Sequence, residues 1–135
     1  VRVACVGAIV RDDDGRLLLI RRGTEPGRGR WSVPGGRMEA GEAAVAAVSR
    51  EVAEETGLQV HVGAAVGSVE RPGRDGSTYV ITDYVCTPTS DTRAVVPGDD
   101  AAAVAWVTDG ELAAYDLVDG LYDALLAWGL LTRPD

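Results

Sequence analysis

Phenylalanine is missing altogether, histidine and methionine occur once each, and cysteine twice. Each scarcity removes a class of chemistry. A zinc-type centre needs several His or Cys ligands at short spacing, and no such spacing exists. A Ser-His-Asp arrangement would have to draw its base from His61, which sits in Gln59-Val60-His61-Val62, a segment that reads as a strand. Cys5 and Cys86 each lie in an apolar run, so both are expected as buried free thiols. No apolar run reaches membrane-spanning length. The first ten residues lack the charge pattern of a secretory signal. A cytoplasmic location with no membrane partner is therefore expected. Positive charge is also in short supply: 13 Lys and Arg stand against 21 Asp and Glu, net −8. A general nucleic-acid binder shows a basic face, so no nucleic-acid partner is expected. A small anionic substrate stays open, because bound cations reverse the local field. Without Phe, any stacking on a base falls to three Trp and four Tyr.

What is present suits one domain over residues 1–135, with 46% apolar and 25% charged residues. Val1 to Val10 is Val-rich and reads as a buried strand. Asp12-Asp13-Asp14-Gly15 is a turn, and Arg16 to Arg22 reads as the strand returning from it. Gly23 to Arg30 is a polar loop. Arg28 and Arg30 in it, following Arg21 and Arg22, are either a solvated surface or a phosphate-binding set, since guanidinium forks match phosphate oxygens. Trp31 follows, placed to stack a base or to pack. Gln59 to Val69 reads as one or two strands with glycine interruptions, and Thr78 to Thr87 as a strand with polar Asp83 inside its apolar run. Pro88 to Gly98 is a long irregular loop of the kind that carries substrate contacts. Ala101 to Val107 reads as a short strand, and Leu117 to Trp128 as a packing helix with Leu121, Leu125 and Trp128 at helical spacing. Strands on either side of a central helix, closed by a second helix, indicate an α/β sandwich.

The central helix holds the most specific signal. Pro34-Gly35-Gly36 leads into an Ala-, Glu- and Val-rich run from Glu42, with no Pro or Gly until Gly57. Val45, Val48 and Val52 form a stripe expected to face a core. Glu51, Glu54 and Glu55, at i, i+3 and i+4, share one face. Such a face is either solvated or, with backbone carbonyls nearby, an oxygen-rich site for a hard divalent cation.

The stretch from Gly36 to Leu58 resembles the Nudix box. Gly36, Glu42, Arg50, Glu51, Val52, Glu54, Glu55, Gly57 and Leu58 occupy its nine specified positions. A chance match in a chain of ordinary composition is on the order of 10⁻⁷. The resemblance implies a Nudix-type α/β/α sandwich, a mixed sheet between helices with the box as a loop–helix–loop. It implies Mg²⁺ or Mn²⁺ held by Glu51, Glu54, Glu55 and the Gly35 carbonyl. Arg50 would orient a glutamate, and Glu42 would stand near the metal. The general base would be a box glutamate or an acid on a later loop, here Asp99 or Asp100, with Asp100 taken into the expected catalytic set.

The activity implied is metal-dependent hydrolysis, by water attack on phosphorus, of a nucleoside diphosphate joined to another moiety. ADP-ribose-like compounds, nucleoside triphosphates and oxidised nucleotides all fit. Arg21, Arg28, Arg30 and Trp31 are the expected substrate contacts, and a monomer or homodimer the expected assembly. Two other readings are a nucleotide-sensing module without turnover, which the intact glutamate set disfavours, and an RNA-decapping enzyme, which the net charge disfavours.

Overall fold

The computed structural model describes residues 1–131; the last four residues of the expected domain lie outside the described residues. The strands are β1 (Arg2–Val10), β2 (Leu17–Arg22), β3 (Trp31–Ser32), β4 (Gly35–Arg37), β5 (Val60–Pro72), β6 (Thr78–Pro88) and β7 (Ala101–Val107). The helices are α1 (Ala44–Thr56) and α2 (Leu121–Ala127), with 3-10 turns at Arg74–Gly76, Thr92–Ala94 and Asp109–Ala114. Two sheets form, one in the order β4-β1-β6-β5 and one in the order β3-β2-β7.

β1 is central. It runs parallel to β6 along its whole length and antiparallel to β4 at its middle, Cys5 to Gly7. Side chains alternate across a strand, so Val6, Ala8 and Val10 pack against Ala47, Val48 and Val52 of α1. Ile9 on the opposite face packs against Leu121 and Leu125 of α2. Both faces of β1 are thus covered, which is why its sequence is a near-continuous apolar run. No helix among the described residues is long and apolar enough to cross a membrane.

Three expectations are corrected, and a fourth, open between one strand and two after Gln59, is resolved. β1 and β2 do not form a hairpin ladder. They meet only at the Arg11–Leu17 bridge and then part into different sheets, because β1 is taken by β4 and β6. Val45 does not join the core stripe and is 52% exposed. Ala47 takes that place, since the helix is turned so that Glu51 and Glu55 also face the protein. The segment from Gln59 is a single strand whose register shifts between Val62 and Gly67. The last helix starts only at Leu121, because Gly120 adopts a left-handed conformation (φ +80°). Leu117 instead bridges to Trp31.

Candidate active site

α1 is built of strong helix formers and stops at Gly57, whose φ of +75° is left-handed and whose N–H caps the Ala53 carbonyl. The loop that follows β6 folds back onto this helix end. Val96 N–H donates to the Thr56 carbonyl (3.0 Å), Gly98 N–H to Glu55 (2.9 Å) and Asp99 N–H to Glu54 (3.0 Å). These bonds satisfy carbonyls that a helix end leaves open, and they place Asp99 and Asp100 beside Glu54 and Glu55. Both aspartates are exposed. Asp100 is left-handed at φ +59°, and its carbonyl accepts the Gly23 N–H (2.8 Å), which ties this loop to the arginine loop.

On the other side of α1 lies the edge strand β4. The Gly35 N–H donates to Glu55 Oε1 (2.8 Å). Gly36 is so close to the Glu51 carboxylate that any side chain there would collide with it. Arg50 gathers the remaining acids. Its Nε and Nη2 grip Glu42 at 2.7 and 2.9 Å, its Nη1 donates to Glu51 Oε1 at 2.8 Å, and Glu54 Oε2 lies 3.3 Å away. Nη2 also donates to the Arg37 carbonyl (3.1 Å).

The electrostatics follow from this packing. Bonding to Arg50, with help from the Glu39 N–H, holds the Glu42 carboxyl down to about 2. Burial pushes Glu55 up to about 8; the Gly35 N–H acts against this and the neighbouring Glu51 charge adds to it. Burial also raises Glu51, with Arg50 opposing. The cluster therefore carries more negative charge than its one guanidinium matches, and the groups least able to hold that charge are those facing Gly35 and Gly36.

The donor set is all oxygen, which suits a hard divalent cation. Among the described residues no three acids converge at ligand spacing. Glu51 and Glu54 are turned toward Arg50 and Glu55 toward Gly35. For a cation to bind here, these side chains would have to exchange a hydrogen bond for a metal bond.

A cavity of about 510 Å³ opens at Gly35 and Gly36. Arg28 and Arg30 line it; the Arg30 guanidinium is already engaged, its Nη1 donating to Asp119 Oδ1 at 2.7 Å, while the Arg28 backbone N–H donates to Glu25 Oε1. Arg21 and Trp31 lie outside the lining, against expectation. Arg21 is exposed on β2, the strand's alternation having sent Arg22 to the cavity instead. Trp31 packs edge-on against Tyr115, ring centroids 5.1 Å apart. Arg22, one of the four arginines offered as a phosphate-binding set, lines the cavity; sequence reasoning missed Arg71, Tyr79 and Asp119 as lining residues. Asp83, noted only as polar within an apolar strand, also lines the cavity, and that oddity was the signal that marked it.

A family model for the NUDIX domain matches residues 1–128. A MutT-like protein of Streptomyces ambofaciens is 35% identical over 82% of this chain and 66% of its own length. A Mycobacterium tuberculosis protein provisionally named 8-oxo-dGTP diphosphatase 2 is 38% identical over 87% of this chain and 80% of its own. The chain thus spans about two thirds of the Streptomyces protein and four fifths of the mycobacterial one. The crystal structure of a MutT protein from Methanosarcina mazei Go1 superposes with a TM-score of 0.81, at 23% identity, over 95% of this chain and 93% of that one, and shares the fold. Family model, box and fold agree, and the chain belongs to the Nudix hydrolase family.

Proposed function

We propose that this protein is a metal-dependent nucleotide pyrophosphohydrolase, cutting the phosphoanhydride of a nucleoside diphosphate joined to another group, nucleoside triphosphates included. One observation carries the reading. The all-oxygen cluster of Glu51, Glu54 and Glu55 abuts Gly35 and Gly36, and those two glycines line a cavity of nucleotide size, about 510 Å³.

A Mg²⁺ or Mn²⁺ at the glutamates and the Gly35 carbonyl would offset charge on the diphosphate and lower the pKa of bound water. The chain's own residues supply the rest. Arg50 holds Glu42, Glu51 and Glu54 in one orientation. Arg22, Arg28 and Arg30 bring positive charge to the cavity side, where phosphate oxygens would lie. Glu54, Glu55 and Asp100 are the acids grouped to take a proton from the attacking water, with Asp100 the later-loop candidate. The water oxygen bonds to phosphorus, the anhydride P–O bond breaks, and a nucleoside monophosphate leaves with pyrophosphate or a phosphorylated remainder. His61 is exposed on β5 and outside the cavity lining, which favours water over a His-activated side chain as nucleophile. The mycobacterial relative's name adds oxidised nucleoside triphosphates to the substrates to test.

The test is hydrolysis of nucleoside triphosphates, 8-oxo-dGTP, ADP-ribose, dinucleoside polyphosphates and capped RNA, with Mg²⁺ and with excess chelator. Release of a nucleoside monophosphate from at least one small nucleotide, abolished reversibly by chelation, is expected. Full turnover in chelator, or none on any small nucleotide, overturns the proposal.

A further inference from the structure

At one level of the four-stranded sheet, the residues in register across the strands are Gly35, Gly7, Asp83 and Gly67. Three of the four have no side chain. Asp83 is the only residue there able to present a functional group, and its carboxyl lies over Gly7, in space that a Cβ at Gly7 would fill. Next to it the Trp128 ring covers Gly67 in the same way. The missing side chains thus leave room for the Asp83 carboxyl and the Trp128 ring, and Gly7, Gly35 and Asp83 together line the cavity.

Asp83 is 4% exposed, and its Oδ1 is buried without a hydrogen-bond partner among the described residues. Buried polar atoms are almost always paired, and an unpaired one costs the desolvation of the group. Arg71, whose charge acts on it, does not donate to it. Arg71 donates instead to the Asp119 carbonyl (3.1 Å) and the Glu70 carbonyl (2.8 Å). Asp83 and Arg71 both line the cavity, and the neighbouring lining on the same strands, Ile81 and Val69, is apolar. Burial pushes the Asp83 carboxyl up to about 6, with Arg71 acting against the rise, so at neutral pH it is mainly an ionised acceptor. Its terminal torsion is soft, so either oxygen can turn to the cavity.

An ionised carboxylate accepts and cannot donate. It suits a ring that presents N–H donors side by side. Guanine does so with N1–H and its 2-amino group. Adenine and cytosine place a ring-nitrogen acceptor next to their amino group, and uracil flanks its N–H with two carbonyls. Hypoxanthine keeps N1–H and lacks the amino group.

We propose that Asp83 is a specificity-determining residue of the cavity, accepting the paired N–H donors of a guanine-type base. This rests on reading the cavity as a nucleotide site, and it separates from the hydrolase reading because base recognition needs no turnover. The test is calorimetric binding of GMP, IMP and AMP to the parent, D83A and D83N in excess chelator, followed by kcat/KM for dGTP and dATP with Mg²⁺. The parent should bind GMP about 10- to 100-fold more tightly than AMP, the scale of one good bidentate base contact, with IMP between them. D83A should bind all three alike and lose the same factor on dGTP while dATP stays within about threefold. D83N, the closest in shape, should also lose the ranking and serves if D83A does not fold. Thermal unfolding checks that each variant is intact. Equal binding of the three by the parent, no binding of any, or an unchanged ranking in a folded variant overturns the proposal. A GMP preference lost in D83A, with no nucleotide hydrolysed by the parent, upholds it and removes the hydrolase reading instead.

Discussion

The box glutamates and Asp83 are acids beside one cavity, yet they are held in opposite ways. Every box carboxylate has an internal donor: Arg50 for Glu42, Glu51 and Glu54, the Gly35 N–H for Glu55. Asp83 Oδ1 has none. The box is a cluster of like charges kept together by one guanidinium and one amide, and under the proposed function it exchanges those partners for a cation. At Asp83 one buried carboxylate oxygen has no donor among the described residues. Excess negative charge in the first region calls for a cation; a missing donor in the second calls for a ligand with N–H groups. On the two proposals together, one acidic protein would carry two recognition chemistries a few strands apart.

The largest effect should come from breaking the box side of this contrast. Glu55→Gln keeps the shape and an acceptor for the Gly35 N–H but removes the charge. Turnover at saturating substrate with Mg²⁺ should fall ~10³-fold, because a neutral amide is a poor ligand for a hard cation. Folding in chelator should persist, since the amide keeps the shape of the protonated carboxyl and the oxygen that accepts the Gly35 N–H. A variant that turns over at the parent rate would take Glu55 out of the site; one that melts early in chelator would make it structural.

Next in size are the two aspartates that the folded-back loop brings to the helix end. If one of them takes the proton, Asp99→Ala or Asp100→Ala should lower kcat by ~10²-fold, the scale of general-base loss. Two near-normal rates would assign the base to the box helix and leave the loop a capping role through its backbone bonds to Glu54, Glu55 and Thr56.

The contrast also marks what is legible in a sequence. The box is readable because its parts are local: nine residues within one loop and one helix, with periodicity fixing which carboxylates share a face. α1, β6 and β7 are legible for the same reason. The placing of Asp83 among glycines is not. It needs β1 to lie parallel to β6 and antiparallel to β4, a pairing of residues far apart in the chain that brings Gly7, Asp83, Gly35 and Gly67 into line, and no local pattern states that register. The separation of β1 from β2 is hidden likewise, since a turn signal gives a reversal but not the sheet each arm joins. Composition locates a basic loop, and only the placement of β2 says that Arg22 faces the cavity while Arg21 faces solvent. Trp31 is ambiguous in sequence because Tyr115, its packing partner, lies far along the chain.

The smallest effect sharpens the contrast, and it is read from stability without metal. Glu55 and Asp83 both have carboxyls raised by burial, to about 8 and about 6, from ordinary values of 4.5 and 3.8. A raised carboxyl means that the folded state binds the proton more tightly than the unfolded state. Its contribution is therefore lost as pH rises from the unfolded value through the folded one. Glu42 has the opposite sign: it is held at about 2, so its contribution is fully present once pH exceeds 4.5. In chelator, stability should then decline between about pH 5 and pH 8, in two overlapping windows. The upper limit is about 1.4 kcal/mol for each tenfold difference in proton affinity between the folded and unfolded states. Relaxation of the hydrated site reduces the loss to about 1–2 kcal/mol for each group. D83N should remove the part of the decline that ends near pH 6. E55Q should flatten the part from about 6.5 to 8, where Asp83 is already ionised in both states. Denaturant unfolding of the parent and both variants at half-unit steps of pH reads this directly. A D83N curve that departs in slope from the parent above about pH 6.5, or an E55Q curve that keeps the parent's slope there, would mean that the two carboxyls do not carry the separate burdens their surroundings indicate.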